Sequence, residues 1–267
     1  MPFNHAEKWL LLLVPMILVA FWPGYFGQLR DAPFAIHAHG ITAMAWIMLT
    51  LVQTWSIRMK RYALHRTTGL ATFVVVPAFA GAGLLAMQRG AVLAVTHADP
   101  FHSVYGIRLG LEDLIMVVTL TSLVCVALAN RRRVKTHAAA MLATVVLVLP
   151  PITARLFPAI PGFPGKDVTG IPTFELAFQT GEFLSIPLSL WLARQPGAKG
   201  PFVAVAIACA VQMVTFAIGD SAILDGVGNA LAALPAGPVA IAGVILAAMA
   251  LTLSWRGSLL PARAAAT

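Results

Sequence analysis

Eight long apolar runs, parted by short segments rich in charge, glycine or proline, dominate the chain. They cover residues 8–26, 33–57, 68–88, 110–130, 137–157, 175–194, 201–219 and 236–255. Each approaches the roughly 20 mostly apolar residues that a helix needs to cross a bilayer. The pattern predicts an all-α polytopic transmembrane helical bundle of eight spans, with residues 1–267 as a single integral membrane domain. Residues 33–195 would form a core bundle, and 8–26, 201–219 and 236–255 peripheral helices. Between the last two runs the separator, Asp220 to Asn229, is short, and fusing them gives seven spans as the alternative. The first run is preceded by Glu7 and Lys8 and flows into Phe21-Trp22-Pro23-Gly24-Tyr25-Phe26 rather than a small-residue cleavage site. It therefore reads as a retained span.

Local signals sharpen some boundaries. Asp31 before Pro33 and Asp99 before Pro100 have the form of an N-cap followed by a first-turn proline, and Gly197 to Pro201 separates the sixth and seventh runs. The Asp99 signal starts the fourth helix about ten residues outside the apolar core. Pro150-Pro151 predicts a kink in the fifth span, which frees carbonyls that only a protein-lined cavity can satisfy.

Composition confirms the solvent. Hydrophobic residues make up 59% of the chain, and only 10% are charged, against about a quarter in a soluble domain. The net charge of +8 is no nucleic-acid signal, because the cations lie in short clusters between spans rather than along one face. Placing the N-terminus inside puts Lys8, Arg58, Lys60, Arg61, Arg66, Arg131, Arg132, Arg133, Lys135, Arg194, Lys199, Arg256 and Arg263 on the cytoplasmic side. This predicts N-in and C-in topology. Cys125 and Cys209 lie within apolar runs and form neither a disulfide framework nor a CxxC motif.

With that orientation Glu7 alone among the acids is cytoplasmic, a bias the positive-inside rule does not require. Counting 18 residues back from the inner end of each helix reaches His39, Glu112, a point beside Arg155, a point beside Glu175 and a point near Asp220. These groups share one level, about 10 Å outward of the bilayer centre. Helical spacing gives polar stripes: His39, Thr42, Trp46 and Gln53; Glu112, Thr119 and Ser122; Glu175, Gln179, Glu182, Ser185 and Ser189; Gln212, Thr215 and Gly219. Ionisable groups at membrane depth cost about 3 kcal/mol each on insertion scales and mark functional sites by default. Glu112, Asp113, Arg155, Glu182 and Asp220 are therefore the candidate catalytic residues, with Glu182 two turns deeper than Glu175.

His37-Ala38-His39 opens the second span. Residues two apart point away from one another on a helix, so the pair shares a metal only if the backbone unwinds. His37 and His39 are the candidate ligands of a divalent metal (Zn, Fe or Mn) completed by carboxylates, with His39 the better placed. His65 and His137, at the inner ends of the third and fifth spans, are candidate axial ligands of a haem b; the other reading is contact with lipid phosphate or helix capping. His39, His65, His102 and His137 alternate between the two sides, as two haems would require. Yet His102 lies about 15 Å above the level of His39 by the same count, which leaves only the inner pair.

His39-Gly40, Trp46, Gln53, Arg58, His65-Arg66 and Gly69, then Asp113, Arg131-Arg132-Arg133, His137, Met141-Leu142-Ala143-Thr144, Pro150 and Arg155-Leu156, resemble the motifs of a widespread uncharacterised bacterial family of polytopic membrane proteins. The resemblance covers residues 33 to 195. Ala139 departs from it, standing where the family has a basic residue. The histidine spacing also has a remote similarity to transmembrane b-type cytochromes. What the resemblance implies is a multi-pass protein of the bacterial inner membrane; it carries no activity. Together these features lead us to expect an outward-facing polar site in a metal- or haem-dependent membrane enzyme or redox protein. Membrane lipids and a lipophilic or extracytoplasmic small molecule are the expected partners. The alternatives are a proton-coupled small-molecule transporter and a structural or assembly subunit.

Overall fold

Residues 3, 5–217 and 221–257 are described by a computed structural model, and Asp220 lies outside them. The described residues form twelve α-helices and no strand: α1 Ala6–Phe21, α2 Phe34–Arg58, α3 Tyr62–Gly69, α4 Thr72–Val95, α5 Pro100–Ala129, α6 Val134–Val146, α7 Leu149–Leu156, α8 Lys166–Thr169, α9 Thr173–Leu192, α10 Lys199–Ala217, α11 Ala222–Ala232 and α12 Ala236–Gly257. Six segments are long and apolar enough to cross a membrane: α2, α3–α4, α5, α6–α7, α10 and α12. Every apolar run of the sequence is helical, but two fall short of that standard. α1 stops at Phe21, before Pro23-Gly24, and its 16 residues rise only about 24 Å. α9 reaches 20 residues but carries Glu175, Gln179 and Glu182. The short Asp220–Asn229 separator belongs largely to α11, and α10 and α12 are distinct helices with different neighbours.

Seven helices close a ring in which each packs on the next: α1, α2, α4, α5, α10, α9, α7 and back to α1. α6 fills its interior at the end bearing the arginine-rich loops (the basic end), packing mainly on α5 and α10. α12 lies outside against α4 and α5, and α11 crosses α4 at the opposite end. The break at the double proline is complete. α6 ends at Val146, and α7 restarts at Leu149 with Pro150 and Pro151 in its first turn, where a helix has no use for their missing N–H groups. Across this break the chain changes neighbours, from α5 and α10 to α9 and α1.

Small residues allow the tightest crossings, as the Ala80-Gly81-Ala82-Gly83 run suggests. A Cβ on Gly106 of α5 would stand 2.5 Å from the Gly90 carbonyl oxygen of α4, and one on Gly243 of α12 would stand 3.1 Å from the Ala80 oxygen. In a bilayer such backbone approach replaces the hydrophobic drive of a soluble core. At the ring's centre Trp46 is 1% exposed and donates its indole N–H to Thr144 Oγ1 at 3.0 Å, tying α2 to α6. Trp46→Phe removes that bond and part of the ring volume. It is expected to lower stability by about 1–3 kcal/mol, read as a lower unfolding midpoint in mild detergent.

Of the two sequence-level caps, only Asp99 holds. Its carboxylate accepts the His102 backbone N–H at 2.8 Å and faces His102 Nδ1 at 2.7 Å. Asp31 caps nothing, because α2 begins one residue after Pro33, which occupies the cap position itself. The His102 backbone donor, then its side chain, hold the Asp99 carboxyl below its ordinary value. A depressed folded value means the cap is fully present above the unfolded value of about 3.9 and is lost as pH falls through the lower folded value. Amide exchange at His102 and Ser103, relative to intrinsic rates, is expected to accelerate below about pH 4. In Asp99→Ala it should be fast at every pH; protection unchanged in that variant would refute the cap.

Candidate functional site

α5 presents adjacent acids to different neighbours. Successive residues on a helix point about 100° apart, so Glu112 turns towards α9 and α10 while Asp113 turns towards α2 and α7. The single level read from the sequence is thereby divided into two clusters.

The deeper cluster is formed by Glu112, Glu182, Gln212, Thr215 and Cys209. Glu112 is 2% exposed and Glu182 0%. Thr215 Oγ1 donates to Glu112 Oε1 at 2.5 Å, the Gln212 side chain lies beside the same carboxyl, and the carboxyl groups of Glu112 and Glu182 face each other within interaction range. Glu112 Oε2 and both Glu182 oxygens have no hydrogen-bond partner among the described residues. An ionised carboxylate donates nothing, so two facing ones leave their oxygens unsatisfied and repel. A proton shared between them removes the repulsion and pairs one oxygen of each. Towards the opposite end the cluster is roofed by aromatic rings, with Phe178 and Phe216 5.1 Å apart and Tyr105 and Phe174 5.1 Å apart. Towards the basic end α9 continues the polar stripe with buried Ser185 and Ser189.

One turn outward on α5, buried Arg108 pairs with Glu175 at 3.3 Å, and Gln179 donates to the other Glu175 oxygen at 3.0 Å. Sequence reading passed over Arg108. Its signal was the (i, i+4) spacing to Glu112 within an apolar run, but the Glu175 partner comes from a helix 67 residues away.

The second cluster brings together three predicted residues. Half-buried Asp113 lies within electrostatic reach of His39 and Arg155, so α2, α5 and α7 each contribute an ionisable group to one cluster. Arg155 donates to the Pro151 carbonyl at 2.9 Å and stacks over Phe21 at 4.2 Å. His39 packs beside Phe79, with Nδ1 buried and unpartnered among the described residues. His37 points elsewhere, 3.1 Å from the Tyr25 hydroxyl, as the helical spacing requires. Ser122 also leaves the interior, being exposed on α5. Among the described residues no three His, Cys, Asp or Glu side chains converge as metal donors.

At the basic end His65 and His137 do meet, with ring centroids 6.3 Å apart and planes at 83°. They line a cavity of about 740 Å³. His137 Nδ1 lies 2.9 Å from the Ala127 carbonyl, which assigns that nitrogen the proton and leaves Nε2 a bare lone pair. The Gln53 amide, oriented so that its oxygen accepts from Thr68 and the Gly69 N–H, donates to His65 Nδ1 at 2.5 Å. That leaves the proton of His65 on Nε2, where an axial haem ligand needs a lone pair, so the pair as placed does not fit bis-imidazole ligation. For an outer haem site, the Asp99 bond to His102 Nδ1 leaves Nε2 free, but among the described residues His102 has its ring contact with Phe101 and His39 with Phe79, not with each other. Comparison with protein-family models, curated proteins and solved structures returns no match to this chain.

Proposed function

We propose that the protein is a proton-coupled transporter of a small solute, with Glu112 and Glu182 as its proton-binding pair. The observation that carries this reading is the facing of two buried carboxyl groups on different helices, with three oxygens lacking a partner among the described residues. An ionisable residue at membrane depth is kept for ion or proton handling or a ligand contact. The broken α6–α7 segment supports the same reading, since discontinuous helices line the binding sites of many transporters. In this reading the cluster of His39, Asp113 and Arg155 contacts the solute's polar groups. The chain sits in a bacterial inner membrane with the basic end cytoplasmic, following the positive-inside tendency. The metal-dependent enzyme reading has less behind it, because His37 and His39 diverge and a catalytic metal needs three protein donors.

The test is solute-driven proton flux in proteoliposomes carrying an internal pH dye, screened across a panel of amino acids, carboxylates, sugars and amines. At least one solute should drive proton movement in the wild type and not in Glu182→Gln. A solute whose flux in both Glu182→Gln and Glu112→Gln equals that of the wild type would remove the carboxyl pair from the mechanism.

A further inference from the structure

The cavity at the basic end belongs to neither acid cluster and has its own chemistry. It is a half-open pocket lined by residues of α1, α2, α3–α4, α5, α6 and α12, and its volume of about 740 Å³ falls in the range of small-molecule sites, about 300–1,000 Å³. Its lining is mixed in polarity. Phe73, Leu128, Met141 and Leu142 supply apolar surface, whereas Arg58, Arg66, Arg131, His65 and His137 supply cationic and imidazole groups.

The charges do not balance within the lining. Glu7 is its sole acid and is already held by Arg58 at 3.1 Å, with His5 bonded to the same arginine at 2.9 Å. Arg131 is fixed, not neutralised: it donates to the Trp255 carbonyl at 3.0 Å and lies 4.1 Å over the Trp255 ring. Arg66 has no hydrogen-bond or ion-pair partner among the described residues. His65, with Nδ1 engaged by Gln53, offers an Nε2–H donor, and His137, with Nδ1 directed at Ala127, offers an Nε2 acceptor. Guanidinium groups beside an N–H donor match the oxygens of a phosphate monoester, and a neighbouring imidazole lone pair can take that ester's second proton. Phosphate alone is far smaller than the cavity, and the apolar lining residues offer surface for a hydrocarbon chain. Basic pockets between membrane helices bind lipid headgroups by the same combination.

We infer that this cavity binds a phosphate monoester through Arg66, Arg131, His65 and His137, with the apolar lining holding the ester's hydrocarbon part. The source of the phosphate is either a lipid or the free anion, and the experiment separates them. Purified full-length protein in dodecyl maltoside is titrated with dodecyl phosphate and, in parallel, with inorganic phosphate, reading the thermal unfolding midpoint. A saturable rise with dodecyl phosphate, at a half-saturation at least tenfold below that of inorganic phosphate, assigns a lipid. Equal half-saturation assigns free phosphate. In either case Arg66→Gln and His65→Gln should each raise the half-saturation at least tenfold, while Glu182→Gln leaves it unchanged. Leu142→Trp, which adds bulk to the apolar lining and spares every charge, should abolish the advantage of the dodecyl chain; it keeps the proposal testable if a charge variant misfolds. No saturable shift with either ligand overturns the inference. So does a strong visible absorption band of the purified protein that is lost in His65→Gln and His137→Gln, since a porphyrin would then occupy the cavity.

Discussion

Glu182→Gln is expected to reduce solute-driven proton flux by at least about 100-fold, the lower range for removing a positioned proton-transfer group. Glutamine matches glutamate in size and supplies both a donor and an acceptor, so the α5–α9–α10 interface keeps its packing and only the exchangeable proton is lost. Glu112→Gln is expected to do the same, and the double variant little more, because two residues sharing one proton act as a unit. Thr215→Val, which removes the hydroxyl donor to Glu112, should have a smaller effect. Infrared difference spectra offer an independent reading: the C=O stretch of a protonated carboxyl should be present in the wild type, shift in heavy water and vanish in the double variant. Its persistence there would assign the proton elsewhere.

The largest structural effect is expected from Gly106→Leu. A Cβ at this position meets the Gly90 carbonyl oxygen at 2.5 Å and the Ala94 Cβ at 3.0 Å, and main chain cannot step aside as a side-chain tip can. α4 and α5 must separate along their shared length, which gives up dispersion contacts that nothing in lipid replaces. We expect a loss of more than about 3 kcal/mol, at the severe end for overpacking, seen as aggregation or a collapsed unfolding midpoint in detergent. Gly110→Ala is the matched control: its new Cβ would lie 3.2 Å from Met87 Cγ, a flexible neighbour that can yield, and the cost should stay near or below about 1 kcal/mol. Equal stability of Gly106→Leu and wild type would refute the close crossing.

Local signals were legible in the sequence, and partnership was not. The helical runs follow from hydropathy alone, Asp99 announces its cap through Pro100, and Pro150-Pro151 announces the break. Asp31-Ala32-Pro33 carried a similar signal and failed, because its proline sits outside the helix rather than in its first turn. Depth counting put Glu112, Asp113, Arg155 and Glu175 at or near one level of the bundle. It could not tell that Glu112 turns to α9 while Asp113 turns to α2, because that depends on which helices flank α5. The Arg108–Glu175 pair escaped for the same reason, and Glu182 was separated from its partner by a count that compared levels rather than faces.

The closed ring of helices also governs how the chain is made. α4 and α5 are complete long before α9 and α10, and Glu182 follows Glu112 by 70 positions, about 4 to 14 seconds at synthesis rates of roughly 5–20 residues per second. During that interval Glu112 has neither its facing carboxyl nor the Thr215 hydroxyl, and the side of α5 that carries it is open to lipid or to the insertion machinery. The nascent chain thus passes through a stage in which an acid that ends almost fully buried is an exposed liability, and the arrival of α9 and α10 ends that stage.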